Sequence, residues 1–129
     1  MPKVLVEHSG IQVIIEALNK DEVSISDFAK LNIVLGTILE ARPNVKAKNP
    51  ACILKIDFGN QVGIKSTSAQ VTNYSINELI GRQVIAVCNL PSKKVAGFTS
   101  EVLVLGAISG KDVHLLRTDI NLQNGTLIG

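Results

Sequence analysis

Asn89-Leu90-Pro91-Ser92-Lys93-Lys94-Val95-Ala96-Gly97-Phe98-Thr99-Ser100-Glu101-Val102-Leu103-Val104-Leu105-Gly106 joins the two strongest strand signals of a 129-residue chain. Its first half reads as a loop: Pro91 cannot donate to a sheet ladder, Gly97 reaches backbone conformations closed to other residues, and Lys93 and Lys94 belong in solvent. Its second half reads as a strand. Val102, Leu103, Val104 and Leu105 form the continuous apolar run of a strand covered on both faces or built into a barrel wall. Between the two halves stand Val95, Ala96 and Phe98, apolar where a connector is normally polar. With Leu90 they form a candidate polypeptide-binding surface, because apolar side chains hold an extended or unfolded segment by burial while neighbouring lysines favour acidic flanks. Phe98 can equally turn inward as a core plug, since the chain has so few aromatic residues.

Reading outward, Asn32 to Glu40 is a strand with Gly36 at a bend or close backbone approach. Ala41 to Pro50 is a proline-bracketed loop with three positive charges. Cys52, Leu54, Ile56 and Phe58 lie on one side of the next strand, and Gly59-Asn60 reads as a two-residue hairpin turn into Gln61 to Ser66. Ser75-Ile76-Asn77-Glu78 has capping-box spacing, with Gly81 placed to end the short helix. Arg82 to Cys88 and Asp112 to Arg117 are further strands. Ser24 to Leu31 reads as one helical turn capped by Ser26. Ahead of it, Ile11, Ile14, Ile15 and Leu18 share one helical face, which favours a short amphipathic helix; a strand through Ile11 to Ile15 is the alternative. The domain division is therefore an extension over residues 1–23 and a barrel over 24–129.

The pattern Asn-x-Pro-x-Lys/Arg-x-x-Ala-Gly-Phe-x-Ser-Glu-Val-Leu-Val-Leu-Gly in the central stretch resembles the signature of the CsaA-type secretion chaperones. These belong to the stand-alone tRNA-binding-domain family, related to the carboxy-terminal domain of some methionyl-tRNA synthetases. Asp27-Phe28-Ala29-Lys30-Leu31, Gly36-Thr37-Ile38, Lys55-Ile56-Asp57-Phe58-Gly59, Ile64-Lys65-Ser66-Thr67-Ser68-Ala69-Gln70, Leu79-Ile80-Gly81-Arg82-Gln83-Val84 and Asn124-Gly125 match in the same order. Element order suggests, and the resemblance implies, an all-β fold: a five-stranded OB-fold barrel with a short capping helix, here preceded by a helical extension. The resemblance further implies a homodimer that binds unfolded or precursor polypeptides and assists export. Its interface would use Phe28 and Leu31 before the barrel and Ile120 and Leu122 in the tail. Implied RNA-contact positions are Lys65, Ser68, Asn89, Lys93, Lys94 and Ser100; a turn hydroxyl remains the other reading of Ser68, and a structural amide that of Asn89. The chain departs from the family pattern at Asn32-Ile33-Val34-Leu35-Gly36 (Asp-Ile-Arg-Val-Gly), Cys52 (tyrosine), Leu90 (phenylalanine), Ser92 (proline) and Leu122-Gln123-Asn124-Gly125 (Val-Pro-Asn-Gly). Loss of an arginine and two aromatics bears on RNA contacts more than on the fold.

Composition bounds the rest. With 46% hydrophobic residues but 3% aromatic, and a mean hydropathy of +0.29, the core must be aliphatic. No apolar run approaches the roughly 18–20 residues of a spanning helix, which implies no membrane insertion, and the amino terminus does not read as a secretory signal; the expectation is a cytoplasmic protein. Net charge is +2, yet residues 42–94 hold eight basic residues against Asp57 and Glu78. Such a stripe attracts phosphates or acidic peptides, so tRNA is the alternative partner to polypeptide. Cys52 and Cys88 form no CxxC pair and read as core residues. His8 and His114 stand apart, and no nucleophile, base and stabiliser converge, so neither catalysis, a metal nor a cofactor is expected.

Overall fold

The structure, a computed structural model, describes residues 4–8, 11–15 and 21–129. Its centre is an antiparallel sheet of β3 (Ile33–Pro43), β4 (Cys52–Asp57), β5 (Ile64–Ala69), β6 (Gln83–Val87) and β9 (Leu103–Val104), in the order β5-β4-β3-β6-β9. The expected OB-type barrel is therefore present. The outer strand β5 meets the stretch Ser100 to Val102, which leads into β9, across a seam made mainly by side chains. Glu101 N donates to Ser66 O (2.9 Å), Ser66 N to Glu101 Oε1 (3.0 Å), Ser68 N to Ser100 Oγ (2.9 Å) and Thr67 Oγ1 to Val102 O (2.7 Å). Closing the wall this way interrupts the apolar run. Val102 to Leu105 is one short strand flanked by irregular residues, because the chain must cross from the β5 side to the β6 side.

Inside the barrel, Ile38, Leu54, Ile56, Phe58, Leu79, Val84 and Val104 are fully or almost fully buried. Leu79 belongs to the single-turn helix α3 (Ile76–Leu79), whose amino end is a complete capping box: Glu78 N donates to Ser75 Oγ and Ser75 N to Glu78 Oε1. Those bonds to Ser75 hold the Glu78 carboxyl below its usual range. Phe58 supplies the bulk that the aliphatic core lacks. Gly36 leaves it room, since a Cβ there would stand 2.6 Å from Phe58 Cδ1 and 2.8 Å from Asp57 O. Truncating Phe58 to Ala should cost about 3–5 kcal/mol.

A second apolar cluster lies on Ile33, Ile85 and Val87, with Leu90, Leu103, Leu105 and Ile128 packed on it. The carboxy-terminal segment covers this side by adding to β3: Gly125 N donates to Leu35 O, Leu35 N to Thr126 O and Ile128 N to Ile33 O. The buried Gln83 clamps the segment, donating from Nε2 to Leu122 O (2.6 Å) and accepting from Leu122 N at Oε1 (3.0 Å).

Several local expectations change. Gly59-Asn60 is not a two-residue turn; it opens a one-turn helix, α2 (Gly59–Val62), which lets Gly59 and Gly125 approach at positive φ. Helix α1 (Ile25–Ala29) is capped by Ser24 rather than Ser26, since the Ser24 hydroxyl is the one that accepts from Asp27 N. The helical amino-terminal extension is also corrected. Val4–His8 (β1) and Ile11–Ile15 (β2) are antiparallel strands with Val4 opposite Ile15, a conformation suited to the β-branched run Val13-Ile14-Ile15. Ala17 and Leu18 lie outside the described residues. After β9, a hairpin of β10 (Gly106–Ser109) and β11 (Asp112–Leu115) completes the secondary structure.

Candidate ligand-binding groove

The first half of the central stretch is a hairpin, not an irregular loop. Strands β7 (Lys93–Val95) and β8 (Phe98–Ser100) pair with Val95 opposite Phe98, leaving Ala96-Gly97 as a two-residue turn. Both turn residues have positive φ, 49° and 77°, as the primed hairpin turn requires. Glycine adopts this without penalty, whereas Ala96 does so at a cost of about 1 kcal/mol.

The hairpin leans over the outer face of β3, β4 and β5. A register shift between Ile38 and Glu40 restarts the pairing so that Glu40 faces Lys55 and Arg42 faces Ile53. Between hairpin and sheet lies a groove of about 480 Å³ lined by Glu40, Ala41, Arg42, Ile53, Lys55, Ser66 and Phe98. It continues into a cleft of about 170 Å³ lined by Arg42, Asn44, Val45, Lys46, Ile53, Ala96, Gly97 and Phe98. Phe98, half-buried, forms a wall of both. Its inward alternative is set aside because Phe58 already fills the core.

The loop over residues 44–51 is held by Asn44, which is buried: its Nδ2 donates to Ser68 Oγ and its Oδ1 accepts from Lys46 N. This anchor presents Val45, 90% exposed, and Lys46 at the rim. The resulting surface is an apolar floor of Ile53, Phe98, Ala41 and Ala96 edged by cations. Only one acid, Glu40, lines it among the described residues, and Lys55 Nζ stands 3.8 Å from Glu40 Oε2.

The positions expected from sequence are only partly brought together. Phe98 and Ala96 line the groove, and Lys93 and Lys94 are exposed on the hairpin above it; the Val95 side chain lies outside the described residues. Leu90 is elsewhere, in the tail-side cluster with Ile33, Ile85 and Val87. Lys65 lines neither cleft and pairs with Glu101 at 3.9 Å. Ser68 and Ser100 are 2% and 4% exposed, and their hydrogen bonds serve the anchored loop and the seam. Asn89 takes Asn32 N at Oδ1 (2.7 Å) and donates from Nδ2 to Lys30 O (2.6 Å), pinning α1 to the barrel. Arg82 stacks on Tyr74 at 4.9 Å, which removes it from the free cations of the basic stretch.

Arg42, Lys46 and Lys55 were legible as members of that stretch, but Ile53, Val45 and Glu40 carried no sequence signal. The thiols take no part. Burial pushes Cys88 up to about 11 against the opposing charge of Lys65, and burial also raises Cys52. No group of three or more metal-ligating side chains occurs among the described residues, and none of their helices is long and apolar enough to cross a membrane. Of the expected dimer residues, Phe28 is 41%, Leu31 40%, Ile120 68% and Leu122 38% exposed.

Residues 33–127 match the family described as "Putative tRNA binding domain". The fold is shared with the crystal structure of the chaperone CsaA from Bacillus anthracis at 45% identity and a TM-score of 0.80, covering 84% of this chain and 100% of that one. It is equally similar to the CsaA chaperone protein of Picrophilus torridus, at 46% identity, a TM-score of 0.80 and the same two coverages of 84% and 100%. Among longer proteins, the methionine–tRNA ligase of Halalkalibacterium halodurans is 31% identical over 113 residues, which are 88% of this chain; the match spans only 17% of that ligase.

Proposed function

The chain belongs to the tRNA-binding-domain family, among its CsaA-type members, and on that footing we propose that it is a non-catalytic CsaA-like chaperone. It holds exposed segments of unfolded or export-bound polypeptides in the cytoplasm, working as a homodimer. The observation that carries this reading is the groove under Phe98. Apolar area on Val45, Phe98 and Ala96, over the buried Ile53, gives an extended segment something to bury, while Arg42, Lys46 and the hairpin lysines attract acidic flanks. Homodimerisation is supported by the exposed Phe28, Leu31, Ile120 and Leu122, apolar side chains on the two segments that flank the barrel.

The second reading is a structure-specific tRNA-binding protein or synthetase accessory domain, favoured by the basic rim and the family description. One aromatic at the groove is a thin platform for base stacking, so such binding would rest on phosphate contacts. Fluorescence anisotropy against labelled unfolded polypeptide and labelled total tRNA, each at low and near-physiological salt, separates the two. The chaperone reading expects polypeptide binding that resists salt and tRNA binding that fades. Tight tRNA binding at physiological salt with no hold on polypeptide would reverse the order.

A further inference from the structure

Glu40 is the acid that lines a groove otherwise edged by cations. Its contact with Lys55 is long, at 3.8 Å, and its side chain is 73% exposed, so the pair is held weakly and the carboxylate stays open to a ligand. Two residues along the same strand stands Arg42, with Lys46 beyond it in the adjoining cleft. The groove is thus uneven along its length: at one end the Glu40 carboxylate faces Lys55, and at the other Arg42, set opposite Ile53, and Lys46 stand with no acid among the lining residues. A continuous polyanion meets a carboxylate at one end of this track and has nothing there to pair with it. An extended polypeptide does not, because its side chains repeat along each face with the same two-residue period as β3 itself.

Resting on the polypeptide-binding reading above, we propose that Glu40 is a specificity-determining residue, selecting extended segments whose apolar side chains are flanked by an acidic residue on one side and a basic residue on the other. The acid of the ligand meets Arg42 or Lys46 and the base meets Glu40. Opposite-charge matching at the rim acts on partner choice more than on total affinity.

The test uses the full chain and three labelled unstructured peptides sharing one apolar centre, flanked by acids on both sides, by bases on both sides, or by one of each. The wild-type protein should bind the mixed peptide about fivefold tighter than the all-acidic one, the scale of one or two exposed charge contacts. Glu40→Lys should reverse that ranking and tighten tRNA binding at low salt, while Glu40→Gln should level it without reversing it. Glu40 is exposed, so a thermal melt of both variants should match the wild type. Peptides held without ranking, or a ranking unmoved in Glu40→Lys, would overturn this inference and leave the chaperone reading standing. If no peptide is held at all, the chaperone reading falls and takes this inference with it.

Discussion

On the side of the barrel covered by the carboxy-terminal segment, polar side chains are turned inward; around the Phe98 groove they are turned outward. Gln83 is buried and gives both ends of its amide to the Leu122 backbone, and Thr37 Oγ1 donates to Asn124 Oδ1 at 2.6 Å. Across the barrel, Arg42, Lys46 and Lys55 extend around an apolar floor, with Asn44 and its partner Ser68 buried beneath them. The difference teaches where this fold stores stability and where it keeps freedom to bind. A buried, doubly bonded amide is costly to break, whereas exposed charges contribute little until a partner arrives.

Four variants probe that division. Gln83→Ala should have the largest effect, about 3 kcal/mol lost in denaturant unfolding, because it orphans both Leu122 backbone groups while leaving polypeptide affinity of the folded protein unchanged. A loss below about 1 kcal/mol would mean that the tail is not clamped as described. Phe98→Ala should weaken polypeptide binding about tenfold, or about 1.4 kcal/mol, measured by anisotropy. Lys93→Glu combined with Lys94→Glu should lower tRNA binding about fivefold at low salt and flatten its salt dependence; no change would take the hairpin out of the binding surface. Smallest is Ala96→Gly, which relieves the positive φ and should stabilise the protein by about 0.5–1 kcal/mol in thermal melts. Reduced polypeptide binding in that same variant would show that the strained methyl serves the cleft it lines.

The groove was the harder part to read because its members are distant in sequence. Phe98 and Ala96 stood out as apolar residues in a loop-like stretch, and the basic bias of residues 42–94 pointed to cations somewhere near. Alternation with Cys52 and Leu54 puts Ile53 on the outer face of its strand, but which residues meet it there depends on the register shift after Ile38, which sets Arg42 opposite it and which nothing in the local pattern announces. Leu90 followed Asn89 in the same apparent loop, yet the Asn89 bonds to Lys30 and Asn32 turn this segment toward the tail-side cluster. Ser68 and Ser100 resembled contact residues until the barrel closed and buried both in its seam.

By itself the sequence determined the main barrel strands along the chain, the capping box at Ser75 and Glu78 and an aliphatic core, together with the family to which these belong. Each of these depends on local chemistry: side-chain periodicity, backbone freedom and short-range hydrogen bonds act over a few residues. Tertiary structure alone decided that Gln83 would clamp the tail, that Lys65 would pair with Glu101, and that Glu40, Arg42, Ile53 and Phe98 would share one groove. Those meetings follow from strand register and barrel closure, where a shift of one residue moves a side chain to the opposite face.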